Sequence, residues 1–175
     1  SIPVPGCWQF FGYDIKNYLN MDVPFSIMAP QIPYENPTGC YKREFTVPEN
    51  WADKRIILVF DGVCNSFNLW INGTFAGYSQ GSHLPSDFDI TDMLRDGKNT
   101  IAVEVYKFSW STYIETQDMF NFSGIFRDVY LLAKEDGGVS DVKIASHLAD
   151  GFGSATLCAE VLSNGGYDIN VTLYD

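Results

Sequence analysis

The side chains able to do chemistry in this chain are four cysteines, two histidines and 22 carboxylates, and their spacing decides what each could serve. Cys7, Cys40, Cys64 and Cys158 lie far apart and never in C-x-x-C spacing, which argues against a zinc ribbon or dithiol redox centre and leaves free, mostly buried thiols. His83 and His147 fall in different predicted domains, and neither has a second imidazole at metal-ligand spacing, so each reads as a surface or hydrogen-bonded histidine. Gly151-Phe152-Gly153-Ser154 lacks the third glycine of a dinucleotide loop and opens a strand rather than a helix. A G-x-S-x-G elbow and a P-loop are both missing. Carboxylates abound, but a glycosidase pair must converge to within about 5 to 10 Å on rigid elements, and no spacing here forces that. One segment stands apart: 109–123 (SWSTYIETQDMFNFS) interleaves aromatic rings with polar groups between two predicted strands. Such a loop suits a sugar, with rings against pyranose C–H groups and Asn, Asp or Gln on hydroxyls, and equally suits an aromatic loop that serves only the core. On its own residues the chain binds rather than reacts.

Composition narrows the partners. Of 175 residues, 46% are hydrophobic and 15% aromatic, enough for a packed core and too many for intrinsic disorder. Eleven basic against 22 acidic side chains leave a formal charge of −11, which disfavours nucleic acid and anionic membrane surfaces. No apolar run approaches the ~18 residues of a membrane span. Ser1-Ile2-Pro3-Val4-Pro5 carries no signal-peptide pattern, so the expected setting is soluble, cytoplasmic or periplasmic. The triplets at Asn72, Asn121 and Asn170 match a glycosylation pattern that arises often by chance.

The elements that would position these residues read as strands. Seven of the eight prolines fall within the first 48 residues, so residues 1–39 are expected to form an extended, irregular arm. From Cys40 the pattern alternates with period two, and short segments rich in β-branched and aromatic residues follow: Arg55 to Phe60, Ser66 to Ile71, Thr74 to Tyr78, Asn99 to Tyr106 and Val129 to Lys134. Asp61-Gly62, Asn72-Gly73, Asp96-Gly97 and Asp136-Gly137 punctuate them, Asn72-Gly73 being the strongest hairpin signal. Only Thr91 to Arg95 looks helical, for one turn. Many short strands without intervening helices predict an all-β fold, an antiparallel jelly-roll sandwich over residues 1–136. Residues 137–175 predict three more strands, Val139 to Ser146, Ser154 to Leu162 and Tyr167 to Leu173, too few for an immunoglobulin-like sandwich and so the incomplete start of one.

Several longer motifs occur in a fixed order: Asn36-Pro37-Thr38-Gly39-Cys40-Tyr41, Phe60-Asp61-Gly62-Val63, Leu69-Trp70-Ile71-Asn72-Gly73, the run from Gly77 to Ile90, Gln117-Asp118-Met119, and Ser123-Gly124-Ile125-Phe126-Arg127-Asp128-Val129. From about Pro5 to Lys134 the chain resembles the N-terminal sugar-binding domain of bacterial β-galactosidases of glycoside hydrolase family 2. The resemblance implies a larger retaining hydrolase of terminal β-D-galactosides, whose two catalytic glutamates lie in an absent (β/α)₈ barrel, so that this fragment alone is inactive. It also implies a homo-oligomeric parent, β-galactoside as shared ligand, and the remaining domains as partners. By position, Asn20 matches the galactose-contacting asparagine and Met21 the residue beside it. Asp118 matches the aspartate that meets the galactose 6-hydroxyl and a pocket sodium ion shared with the barrel. Thr116, Phe120 and Asn121 depart from an acid, a tryptophan and a basic residue, and Trp110 has no counterpart, which bears on aglycone preference. On their own chemistry Asn20 also suits a turn cap, and Asp118 an acceptor of backbone N–H bonds. Arg127 reads as a buried ion-pair partner for a carboxylate. The alternatives are a free carbohydrate-binding or interaction module, and a relative acting on β-glucuronides or β-mannosides.

Overall fold

A computed structural model of the chain describes residues 1–20, 25, 28–135, 137–166 and 168–174. The chain divides into two compact units, Ser1–Ala133 and Lys134–Asp175.

The strands of the first unit, the last of which runs two residues past Ala133, are β1 (Asn17–Leu19), β2 (Thr38–Thr46), β3 (Lys54–Phe60), β4 (Val63–Cys64), β5 (Ser66–Ile71), β6 (Thr74–Gln80), β7 (Ser86–Asp89), β8 (Lys98–Tyr106), β9 (Met119–Asn121), β10 (Gly124–Ile125) and β11 (Val129–Glu135). One sheet has the order β2-β8-β5-β6 and a second the order β11-β3-β7, while β1-β9 and β10-β4 form short pairs. The fold is the expected all-β jelly-roll sandwich.

Alternation in the sequence explains the layers. Phe67, Leu69 and Ile71 of β5 and Val103 and Val105 of β8 point one way and are at most 4% exposed. They meet Ile56, Leu58 and Phe60 of β3 in one apolar cluster, so the two sheets bury their faces against each other. Phe60 and Phe67 pack at 4.8 Å between ring centres, and Phe88 of β7 sits edge-on to both. The Asn72-Gly73 hairpin forms as expected: both residues take positive φ, 52° and 84°, and join β5 to β6 at the Ile71–Thr74 pair. The Asn72 amide also donates to Met93 O and Asn99 Oδ1, tying the turn to the start of β8.

Several expectations need correction. The proline-rich arm is not wholly irregular, because a 3₁₀ turn forms at Trp8–Phe11 and β1 finds a partner in β9. The Trp8 indole lies over Gly39 of β2, where a Cβ would stand 2.4 Å from the ring, so that glycine is what lets the arm lie flat. The supposed long loop 109–123 holds a helical turn, Thr112–Glu115, and then β9. The single helical turn expected at Thr91 to Arg95 is present, as a 3₁₀ turn over Thr91–Met93. Arg127 is exposed and, instead of a carboxylate, meets the main-chain carbonyls of His83 (2.9 Å) and Asp61 (3.3 Å), with its guanidinium over the Phe126 ring. Gly62, lacking a Cβ, leaves room for its stem. All four cysteines are free, but Cys40 and Cys158 are exposed because each occupies an outward strand position.

The second unit contains the hairpin of β12 (Val139–Leu148) and β13 (Ala155–Ser163). Val142, Ile144 and Leu148 share a face with Leu157, Ala159 and Val161, while Lys143 and His147 oppose Glu160 and Thr156 on the other. The third expected strand does not form among the described residues 168–174; Tyr167, like Asp136 of the expected Asp136-Gly137 turn, lies outside them.

The arm is fastened by a charge with little access to water. Lys107, directly after β8, has a side chain only 5% exposed, and its ammonium meets Asp14 Oδ2 at 2.5 Å. Gln9 donates to the same carboxylate and accepts from Ser123 N, so arm, β8 and the segment before β10 share one network. Burial opposes ionisation of Asp14, but the bonds from Lys107, Ile15 N and Gln9 outweigh it and hold the carboxyl below its ordinary range. A lowered folded value means this contribution is fully present above the unfolded carboxyl near pH 4 and is lost as pH falls through the folded one. Asp14→Ala strands the ammonium and is expected to cost about 3 kcal/mol, read as a lower urea midpoint at unchanged slope. Its stability should also vary less than the parent chain's below about pH 4.

Candidate functional site

Asn20 and Asp118 are brought together by a ladder too short to announce itself. Asn17, Tyr18 and Leu19 pair antiparallel with Asn121, Phe120 and Met119. One step beyond, Asp118 N donates to Asn20 O at 2.8 Å, which adds a further rung. Met21 lies outside the described residues. Asn20 and Asp118 are both exposed. Asn20 thus accepts through its main chain. The Asp118 carboxylate accepts from the Tyr18 hydroxyl, 100 residues away in sequence.

The loop that leads to Asp118 starts from a cluster of buried polar groups. Asn65 Oδ1 accepts from the hydroxyls of Ser109 and Ser111, and Ser109 N donates to Thr112 Oγ1 at 3.0 Å. All four side chains are buried, so their mutual satisfaction fixes the loop's start. At the end of the helical turn the Glu115 carboxylate accepts from both the main-chain N and the hydroxyl of Ser82, anchoring the turn to the segment after β6. Tyr113 donates to Gln31 O at 2.5 Å and packs edge-on to Phe25, which also meets Phe108. The chain then reaches Asp118 in a left-handed conformation, φ 47°, which Asp tolerates better than most residues.

Beside the carboxylate runs a row of rings. Tyr18 is edge-on to Phe120 at 5.4 Å, Phe120 stacks on Phe122 at 5.5 Å, Phe122 meets Phe10 at 4.6 Å, and the Lys16 ammonium lies 5.1 Å above Phe10. Tyr18 and Phe120 are 54% and 51% exposed, leaving apolar faces in water next to a polar cluster. Thr116 donates to Asn121 Oδ1, while Asn121 Nδ2 is buried and finds no acceptor among the described residues. The departures at 116, 120 and 121 are therefore all neighbours of the Asp118 rung.

Sequence reasoning missed Tyr18 and the arm's share of this site. Three residues of β1 are too few to show an alternation, and the tyrosine carries no motif of its own. Its hydrogen bond to the Asp118 carboxylate, with partial loss of solvent, raises the Tyr18 phenol above the usual tyrosine range. Nothing metal-like emerges from the histidines: among the described residues no three His, Cys, Asp or Glu side chains converge. In Asp118→Asn the Tyr18 phenol, followed through its ring carbons by NMR, should titrate at lower pH than in the parent chain. An unmoved titration would mean that the two groups are not bonded in solution.

Comparison with known proteins matches residues 1–135 to the sugar binding domain of glycosyl hydrolases family 2. A β-galactosidase of Yersinia enterocolitica is 46% identical over 176 aligned positions, covering 100% of this chain and 16% of that protein. Among solved structures, a calcium-binding mutant of Bacteroides uniformis β-glucuronidase 2 superposes with a TM-score of 0.60 at 31% identity, over 66% of this chain and 15% of that one. Bacteroides uniformis β-glucuronidase, at 23% identity, shares the fold over 95% of this chain and 23% of its own, with a TM-score of 0.67. The chain spans about a sixth of the length of the curated relative it matches. By both matches, this chain belongs to glycosyl hydrolase family 2, in which its first 135 residues are the sugar-binding domain and the whole corresponds to the N-terminal region of the β-galactosidases.

Proposed function

We propose that the chain is the N-terminal part of a retaining β-galactosidase and supplies one wall of its galactose pocket, with Asn20, Met21 and Asp118 facing the sugar. The observation that supports this most is the rung from Asp118 N to Asn20 O, which sets two residues matched to one pocket side by side on an exposed edge. A carboxamide donates and accepts at once, which suits a ring hydroxyl, and a carboxylate is a strong acceptor for a 6-hydroxyl. Asp118 is also a hard oxygen donor, of the kind a sodium ion takes, and among the described residues it belongs to no cluster of three His, Cys, Asp or Glu side chains. It would therefore be one ligand among several, the rest coming from the barrel that carries the catalytic glutamates.

The solved relatives named above are β-glucuronidases, which makes a glucuronide the second reading. Charge favours the galactoside: a glucuronide presents a carboxylate at its sixth carbon, and Asp118 at that place would repel it. The identity to a β-galactosidase, higher than to either glucuronidase, points the same way.

The purified 175-residue chain is expected not to turn over a chromogenic β-galactoside, and any enzyme-dependent turnover would overturn the division of labour. In the full-length enzyme Asp118→Ala removes a charge-assisted bond of about 1.5–3 kcal/mol, so kcat/KM should fall about 10- to 100-fold with reduced dependence on sodium. Unchanged kinetics and sodium response would remove Asp118 from the pocket.

A further inference from the structure

The outward face of the larger sheet carries rings that the core does not use. Its register sets Tyr106 of β8 between Thr38 of β2 and Ser66 of β5, and in the next row Asn68 of β5 between Glu104 of β8 and Tyr78 of β6. These positions alternate with the inward Phe67, Leu69, Val103 and Val105. Their polar tips hold one another: Asn68 Nδ2 donates to the Tyr106 hydroxyl at 2.9 Å, which donates to Glu104 Oε2 at 2.5 Å, and the Tyr78 hydroxyl donates to Gln80 Oε1 at 2.8 Å. Pro30 to Tyr34 of the arm and Phe108 to Trp110 after β8 complete, with Tyr78 and Tyr106, a cleft of about 540 Å³. Asn36 ties the two sides together, its amide donating to Phe108 O at 2.8 Å and its Oδ1 accepting from Phe108 N at 2.9 Å. The cleft is therefore shaped before any ligand arrives.

Its chemistry selects the occupant. Among the described residues the lining carries no charged side chain, although the chain as a whole has a net charge of −11, so an ionic ligand finds no counter-charge. The rings are open to water, Tyr34 fully and Tyr78 and Trp110 by half. The Trp110 indole N–H and the Tyr34 hydroxyl have no hydrogen-bond partner among the described residues, so each can meet a ligand hydroxyl. Strands β5 and β8 are paired on both edges, which leaves a peptide strand no main chain to join there. We propose that this cleft is a carbohydrate site, built from residues other than Asn20 and Asp118, for a neutral oligosaccharide of equatorially substituted pyranoses. Tyr34, Tyr78 and Trp110 take the flat C–H faces of such sugars, whose slightly positive hydrogens suit the negative faces of the rings. An axial hydroxyl, as in galactose, interrupts one of those faces. The inference does not depend on the galactose reading, since Tyr18, Asn20 and Asp118 do not line the cleft.

The test is saturation-transfer NMR with cellotriose and xylotriose on the full-length protein and on its Tyr34→Ala and Trp110→Ala variants. Both side chains are exposed, so the variants should keep the parent's urea midpoint. At least one trisaccharide is expected to bind, and each variant to weaken that binding about tenfold or more. Neither sugar contains galactose, so the result stands or falls apart from the galactose reading. Absence of binding by both sugars, or binding that either variant leaves unchanged, would overturn the proposal. So would tighter binding of a decaproline peptide that Trp110→Ala abolishes, since the aromatic cleft would then serve a polyproline helix.

Discussion

An ammonium group with almost no access to water must have a counter-charge, and in this domain Lys107 finds it in Asp14. That requirement reaches further than one ion pair. Asp14 can lie against the end of β8 only if the arm folds back over the sandwich, and Gln9, shared between Asp14 and Ser123, sets the arm against the segment that begins β10. Trp8 over Gly39 supplies the apolar half of the same fastening. With residues 8–14 placed, β1 follows three residues later and pairs with β9.

The sandwich itself was legible because its strands are long enough to show their period. Arg55–Phe60, Ser66–Ile71 and Asn99–Tyr106 each carry three or more inward apolar residues, and Asn72-Gly73 demands its turn by backbone conformation alone. The candidate residues Asn20 and Asp118 were singled out only through family motifs. Asn20 and Asp118 share no periodicity, and a three-residue ladder formed across the whole domain leaves no local trace. The misreading of Arg127 has a related origin: a guanidinium reads in sequence as a partner for a carboxylate, yet two loop carbonyls and an aromatic face serve it as well. The helical turn at Thr112–Glu115 was hidden because its anchors, Asn65 and Ser82, are remote in sequence.

The division between core and site is chemical as well as spatial. Apolar contacts between the two sheets supply a non-directional platform, while the loop that carries Asp118 is oriented by directional bonds among Asn65, Ser109, Ser111, Thr112, Ser82 and Glu115. Hydroxyls and an amide in that cluster cost little when all are matched and fix a geometry that packing alone would leave loose. Asn121 Nδ2, buried and without an acceptor among the described residues, is matched less fully, although its Oδ1 accepts from Thr116.

The left-handed backbone at Asp118 also limits how this position could change over time. Glutamate would keep the negative charge but gives up the short side chain that stabilises such a conformation locally, and a β-branched residue would clash outright. Asparagine and glycine keep the backbone but surrender the charge. A lineage could therefore abandon the anion here more easily than it could lengthen or reshape the group that bears it.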